Sequence, residues 1–299
     1  MNKKKLFWEK QSNRKFDLNN FRNSKKHNIF ANWSPYKRGL TFHNFLINYF
    51  VNNNQKDFLK FKKSINNLNI GFPPIITYKN KYKISYDDCL SFEEISFLKK
   101  NFKKKKLDFI VEIGPGYGRM VETILKNFKV KKYIVIDYQN ILKLTKKYLS
   151  KVLHKKEFSK IIFVNFENFK FKKDFFLEKF SIRKFDLLFN SDSFHEIEKK
   201  IIRNYQEYFS DICDNFFIKN SVGKYKPKDL INHLNDHKVP NFIKNLGFCN
   251  KVINIFDIEQ IHSQIKNYVK MYNPYKKYKK IVYKQSEIYP STLLCIFRK

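Results

Sequence analysis

From about residue 107 onward, short apolar runs alternate with longer stretches whose apolar residues recur every three or four positions. The short runs read as strands buried on both faces, and the 3.6-residue period between them reads as helix. Strands are predicted at 108–113, 132–137, 160–165, 185–190, 215–220, about 251–256 and 292–298. Helices fill most of the gaps. The clearest follows residue 193, where Ile197, Ile201, Tyr205, Phe209 and Ile212 share one face. Such alternation builds a parallel sheet with right-handed crossovers. The stretch 257–291 reads as irregular chain folded over the sheet edge.

The first third has a different pattern. Helical stretches are expected around Phe42–Val51 and Phe92–Phe102, with the turn-rich piece Gly71-Phe-Pro-Pro74 between them. Residues 1–24 are polar and charged, and loose packing is expected there. The predicted organisation is a mainly helical region over 1–105 followed by an α/β domain over 106–299.

Composition adds two points. Hydrophobic residues make up 42% of the 299, and 33 Phe and 18 Tyr mean that the core must be largely aromatic. The recurrence of Lys, Asn, Ile, Phe and Tyr fits the codon bias of an AT-rich genome. Lys and Arg number 61 against 27 Asp and Glu, a net charge of +34. The lysines are spread along the chain and form no arginine-rich arm. The charge therefore reads as solvated surface with a bias toward anionic substrates. The cysteines, Cys89, Cys213, Cys249 and Cys295, lie far apart, which argues against a zinc site or a disulfide framework. No apolar run reaches the roughly 18 residues of a membrane span, and the N-terminus lacks the apolar core of a signal peptide. A cytoplasmic location is expected, with peripheral contact to an anionic membrane compatible with the charge.

The sharpest chemical signal is Phe109-Ile-Val-Glu-Ile-Gly-Pro-Gly-Tyr-Gly118. An apolar strand runs into Gly114, Gly116 and Gly118, a turn poor in side chains at the carboxyl end of a sheet. Arg119 stands where a dinucleotide fingerprint needs its third glycine. Glu112 would repel a pyrophosphate but suits a ligand carrying ammonium and sulfonium charges. Those features select S-adenosyl-L-methionine (SAM). The second strand ends at Asp137, about 20 positions after Gly114, where an acid can accept both ribose hydroxyls. Beyond the third strand, Glu167 is a candidate for the adenine amino group, with Phe166 against the ring; a solvated loop acid is its equal alternative reading.

The fourth strand leads into Asn190-Ser-Asp-Ser-Phe-His-Glu196. Methylating a hydroxyl requires removal of its proton, and His195 is the candidate base; holding Asn190 or the loop is its other reading. Asp192 would orient His195 or contact substrate. Ser193 and Glu196 have capping-box spacing ahead of the next helix. The fifth strand ends with Lys219 and Asn220 and no acid pair, so no metal is expected.

These segments resemble class I SAM-dependent methyltransferases across about 107–299. Tyr133-Ile-Val-Ile-Asp-Tyr-Gln139, Tyr205 and Phe216 to Tyr225 extend the likeness toward bacterial sugar O-methyltransferases. The resemblance implies a Rossmann-like sheet of order 3-2-1-4-5-7-6 with the last strand antiparallel. It implies SAM over Gly114, Gly116, Tyr117 and Gly118. Ribose would sit on Asp137 beside Tyr138, and the methionine end near Glu112, Asn190 and Ser191. It further implies an acceptor pocket formed with the N-terminal region, and a sugar or glycan acceptor, anionic or phosphate-linked. Trp33 to His43 could stack on a sugar and pair with a phosphate there, although an amphipathic helix start with packed aromatics is the favoured reading of that segment. RNA is the competing acceptor, but no Asn-Pro-Pro-aromatic or Asp-Pro-Pro-Tyr block follows the fourth strand, which argues against it. A binding protein with a decayed pocket is a third reading, disfavoured by the intact acids and glycines.

Overall fold

The computed structural model describes residues 16–23, 39–65, 70–102, 107–172, 174–225, 245–275 and 277–299. Their contacts gather into two compact units. One draws on Met1–Lys103, Pro115–Phe128 and Tyr138–Lys160; the other on Lys104–Gly114, Lys129–Asp137 and Ile161–Lys299.

The first unit is mainly helical. Helices α1 (Leu40–Asn53) and α2 (Gln55–Ser64) precede a hairpin of β1 (Ile75–Tyr78) and β2 (Tyr82–Ser85), and α3 (Tyr86–Asn101) follows it directly. The hairpin turns through Lys79 and Asn80, both at left-handed φ, as a two-residue turn between twisted strands requires. Helix α3 begins ahead of the expected Phe92 because Ser85 and Asp88 form a reciprocal capping box. Phe50, Phe58, Phe61 and Phe92 pack ring against ring at 5.2–6.3 Å. Helices α4 (Arg119–Asn127), α5 (Gln139–Val152) and α6 (Lys155–Phe158) complete the unit. The expected loose packing of residues 1–24 is wrong for Phe21 and Arg22, which are 1% and 2% exposed. Phe21 lies where a Cβ on Gly71 would stand, so only glycine fits there.

The second unit holds the sheet. Its strands are β3 (Phe109–Ile113), β4 (Lys132–Asp137), β5 (Ile161–Asn165), β6 (Leu187–Ser191) and β7 (Asn215–Ser221). The short β8 (Lys224–Tyr225) and β9 (Val252–Ile253) pair only with each other, and β10 (Lys280–Gln285) and β11 (Thr292–Arg298) complete the sheet. The spatial order is β5-β4-β3-β6-β7-β11-β10, which is 3-2-1-4-5-7-6 in chain order, as the resemblance implied. Strand β11 runs antiparallel to β7 and β10, and the other pairings are parallel. The fold is a Rossmann-like α/β sheet.

Helices α7 (Phe175–Phe180), α8 (Lys199–Ile212) and α9 (Ile258–Tyr272) belong to this unit. Val111, Ile113, Ile134, Ile136, Phe216 and Ile218 share one continuous apolar core with Phe209 of α8 and Tyr268 of α9. Phenol groups entering that core find partners: the Tyr278 hydroxyl donates to the Cys213 carbonyl at 2.6 Å.

Two expectations for the C-terminal third fail. The strand expected at about 251–256 is only β9, outside the sheet; the sheet's sixth strand is β10. The stretch 257–291 is not irregular either, since it contains α9 and β10. Asp257 caps α9 by accepting from the Glu259 and Gln260 amides. Ile261, Gln264, Tyr268 and Tyr272 line its buried face at helical spacing.

Candidate active site

Chain order reverses between β3 and β6: β4 and β5 lie on one side, β7 on the other. Open α/β sheets form a crevice at such a point, outside the strand carboxyl ends. Asn190, Ser193 and His195 are linked by hydrogen bonds at the carboxyl ends of β3, β6 and β7.

Strand β6 ends at Ser191, and Asp192 turns the chain back at φ 62°, a left-handed conformation that Asp tolerates better than most residues. The Asp192 amide donates to the Lys219 carbonyl at 2.7 Å, and Lys219 Nζ lies 2.8 Å from Asp192 Oδ2. Lys219 is a buried lysine and Asp192 half-exposed, so this pair ties the loop to β7.

The turn delivers Ser193 against β3. Ser193 Oγ donates to the Ile113 carbonyl at 3.0 Å. A Cβ on Gly114 would come within 2.5 Å of Ser193 Cβ and Oγ, and Gly114 has φ 70°. The first glycine is therefore required by packing within the protein as well as by its backbone conformation. Ser193 does not form the expected capping box: its side chain accepts no helix amide, and Phe194–Glu196 make a single 3-10 turn before α8 starts at Lys199. The hydroxyl is spent on Ile113 instead.

Asn190 is fully buried and organises the floor. Its Nδ2 donates to the Ile113 carbonyl at 3.0 Å and to Ser193 Oγ. Its Oδ1 accepts from the Phe194 amide at 3.4 Å and from Asn220 Nδ2 at 3.1 Å. Asn220 Oδ1 in turn accepts from the His195 amide at 3.2 Å and faces His195 Nδ1 at 3.2 Å. His195 Nε2 lies 3.5 Å from Glu196 Oε1, and the imidazole is a quarter exposed. Lys224 Nζ donates to the His195 carbonyl at 2.7 Å. Burial pushes the Lys224 ammonium down to about 8, against the opposing pull of Glu196. Gly247, at φ 70°, comes so close to His195 that a Cβ would lie 2.7 Å from its Cα.

Glu112 is buried on β3 and accepts from the Tyr133 hydroxyl at 2.7 Å. Asp137 closes β4 opposite Asn165 of β5. Glu167 is exposed; Asn165 donates to its carboxylate at 3.1 Å and accepts from its amide at 3.2 Å. Phe166 packs against the core, its ring 6.3 Å from that of Tyr205.

The rest of the glycine turn belongs to the helical unit. Gly116 and Gly118 have φ 56° and 101°, and Gly118 caps α4. Thr145 Oγ1 of α5 donates to the Gly116 carbonyl at 2.6 Å. The Tyr117 side chain is buried: its hydroxyl donates to Asp87 at 2.7 Å, and the Arg22 guanidinium lies 5.2 Å from its ring centroid. Arg22 pairs with Asp87 at 2.7 Å, and Arg119 pairs with Glu94 at 2.8 Å and donates to Ser91 at 3.1 Å. Tyr138 is the residue preceding α5.

Several of these residues were not expected from sequence. Asn220 and Lys219 sit at the carboxyl end of a central strand, a position that signals function. Nothing local marks Lys224 or Gly247. The Asp87–Ser91–Glu94 stripe of α3 stands at helical spacing, but other polar residues of the same helix, Asp88 and Glu93 among them, mask it in the sequence. Of the expected acceptor segment, Trp33 to Arg38 lie outside the described residues. His43 is buried in α1, with Nδ1 3.2 Å from Asn44 Oδ1. Among the described residues no cluster of three or more His, Cys, Asp or Glu is arranged to hold a metal ion, and no helix is long and apolar enough to cross a membrane.

No protein-family model matches the chain. No curated protein matches it either. Among solved structures it is similar to the methyltransferase domain of bacterial CtHen1 (10% identity, 69% of this chain and 95% of that one, TM-score 0.45). It is also similar to the plantazolicin methyltransferase BpumL, solved with a monoazolic desmethylPZN analog and SAH (12% identity, 90% and 94%, TM-score 0.42). A third likeness is to an O-methyltransferase family protein from Burkholderia thailandensis (8% identity, 72% and 58%, TM-score 0.41).

Proposed function

We propose that this chain is a SAM-dependent methyltransferase that methylates a sugar hydroxyl on a nucleotide-, lipid- or polymer-linked glycan. The observation that carries the cofactor reading is the acidic, side-chain-poor exit of β3 at the switch point. There Glu112 precedes a run of three glycines at positive φ, and Asp137 ends the neighbouring strand. The residues present fit the cofactor in charge: a cationic ligand suits the acids Glu112 and Asp137. Glu112, Gly114 and Asp137 are the proposed contacts in the sheet unit, and Gly116, Tyr117 and Gly118 follow directly in the chain.

When bound, SAM supplies an electrophilic methyl group. Glu112 and Asp137 would hold that cofactor, and His195 would take the acceptor's hydroxyl proton on Nε2 as the hydroxyl oxygen is methylated. Glu196, 3.5 Å from Nε2, steadies the imidazolium so formed. The loop's hydrogen bonds hold this base in place, and positioning of acceptor against methyl supplies much of the rate. A hydroxyl acceptor is favoured because a base stands ready for its proton. The sugar assignment rests on the sequence resemblance. Methylation of RNA or another small molecule is the second reading, favoured by the charge of +34.

The test has two arms. Calorimetry of the purified chain with SAM should show binding; absence of heat overturns the cofactor reading. Labelled SAM offered with nucleotide sugars, glycan extracts and RNA should label the sugars. Label in RNA alone overturns the acceptor.

A further inference from the structure

Asn220 is placed to decide which nitrogen of His195 carries the proton. We propose that Asn220 is a positioning residue that holds neutral His195 as the Nδ1–H tautomer, leaving the lone pair on Nε2. For catalysis this rests on the reading of His195 as the base; for the imidazole itself it rests on geometry alone.

The orientation of the Asn220 amide is fixed twice. Its oxygen faces the His195 backbone amide at 3.2 Å, and a backbone N–H can only donate. Its nitrogen faces Asn190 Oδ1 at 3.1 Å. Asn190 is itself oriented, because its nitrogen must donate to the Ile113 carbonyl at 3.0 Å. A flipped Asn220 would set oxygen against oxygen on one side and N–H against N–H on the other. With the oxygen so placed, His195 Nδ1 at 3.2 Å gains a hydrogen bond only by carrying the proton. Nε2 is then the acceptor nitrogen; Glu196 Oε1, the competing partner that would favour a proton on Nε2, lies 3.5 Å away, beyond hydrogen-bond distance.

The clamp is anchored behind and below. The Asn220 backbone N–H donates to the Tyr268 hydroxyl of α9 at 3.0 Å, and that hydroxyl donates to the Leu293 carbonyl at 3.1 Å. Lys224 holds the His195 carbonyl at 2.7 Å. The imidazole is thus set by β7, α9 and β8, which fix its backbone and one ring nitrogen and leave the other on the side of Glu196. This also joins the two roles open to His195 in the sequence: the contact that holds the loop is the one that selects the base nitrogen.

The test is nitrogen-15 NMR of histidine-labelled full-length protein at about pH 9, where imidazoles are neutral. The His195 signal is assigned by its loss in His195→Gln. The expected result is Nε2 unprotonated and Nδ1 protonated. Asn220→Ala should lose that preference, whereas Asn220→Asp, which keeps an oxygen toward Nδ1, should retain it. A merely structural asparagine would not separate these two variants by tautomer. Wild-type His195 with its proton on Nε2 overturns the inference, as does an Asn220→Ala spectrum unchanged from wild type. Neither result depends on SAM, so failure here is distinct from a failed SAM titration. With a labelled acceptor in hand, Asn220→Ala should lower turnover on the order of 10- to 100-fold.

Discussion

Glu122 shows how far one carboxyl can depart from its ordinary behaviour. It lies on α4, buried, with Oε2 accepting from the Tyr148 hydroxyl at 2.6 Å, while Oε1 meets no hydrogen-bond partner among the described residues. Burial pushes its pKa up to about 7, well above the ordinary carboxyl range, and the Tyr148 bond pulls only partly against that shift. A carboxyl whose folded pKa is raised favours folding when protonated. That contribution is complete below about pH 4.5 and is lost as pH rises through about 7, at a cost of roughly 3 kcal/mol. Glu122→Gln keeps the shape and removes the charge. Urea unfolding should find the variant more stable than wild type by about 1–3 kcal/mol at about pH 8, with the gain gone near pH 4.5. An equal difference at both pH values would refute the assignment. The same contrast between visible group and hidden partner limits what the sequence reveals at this scale. Glu112, Gly114, Asp137 and His195 could be singled out as candidates because strand ends concentrate chemistry. The partners of His195 come from later strands, so only the folded chain brings Asn220 and Lys224 to it.

At the scale of elements, α3 is the clearest case of a helix whose polar face is turned inward. Asp87, Ser91 and Glu94 lie along it at helical spacing and receive Arg22, Tyr117 and Arg119. Arg22 is 2% exposed, so its charge cannot return to water if Asp87 is removed. Asp87→Ala should destabilise the chain by about 3 kcal/mol, most of it the penalty of an unpaired buried guanidinium. Combining it with Arg22→Met should recover a measurable part of the loss in urea unfolding; strictly additive losses would show that the pair is not coupled. The elements themselves were legible in uneven measure. Strands β3 to β7 and α8 carry unbroken apolar runs or a clean 3.6 period, and the sequence places them closely. Helix α9 and strand β10 were missed because lysines interrupt their patterns. In α9 the buried face is built from Tyr268, Tyr272 and Gln264 rather than aliphatic residues, and β10 is an edge strand with only partial burial. The Ser193–Glu196 spacing misled for a different reason: a capping box is local, and a non-local acceptor, the Ile113 carbonyl, took the serine first.

At the scale of the whole molecule the dominant fact is charge. Strand–helix alternation made a parallel sheet legible, whereas the sheet order came from the resemblance to a known family. The division of contacts into two units, with α4 and α5 grouped apart from the strands that precede them, leaves no mark in composition or spacing. The charge is fully legible, and it has a consequence that no single contact has. With 61 cationic side chains against 27 anionic ones, most cations have no carboxylate to pair with, and repulsion among them opposes the compact state. Salt shortens the reach of that repulsion, from a Debye length of about 30 Å at 0.01 M to about 8 Å at 0.15 M. The exposed ion pairs that salt also weakens, such as Lys172–Glu178 and Lys277–Asp211, are each worth little. The buried pairs on α3 are screened far less. Screening should therefore relieve more repulsion than it removes attraction, and the thermal midpoint should rise between those two salt concentrations. A midpoint that falls would mean that attractive pairs outweigh repulsion despite the excess of 34. The same screening sets the acceptor question in kinetic terms: a field of this sign speeds encounter with a phosphate-linked glycan at low salt and leaves a neutral sugar unaffected. If the acceptor is anionic, kcat/KM should fall as the midpoint rises.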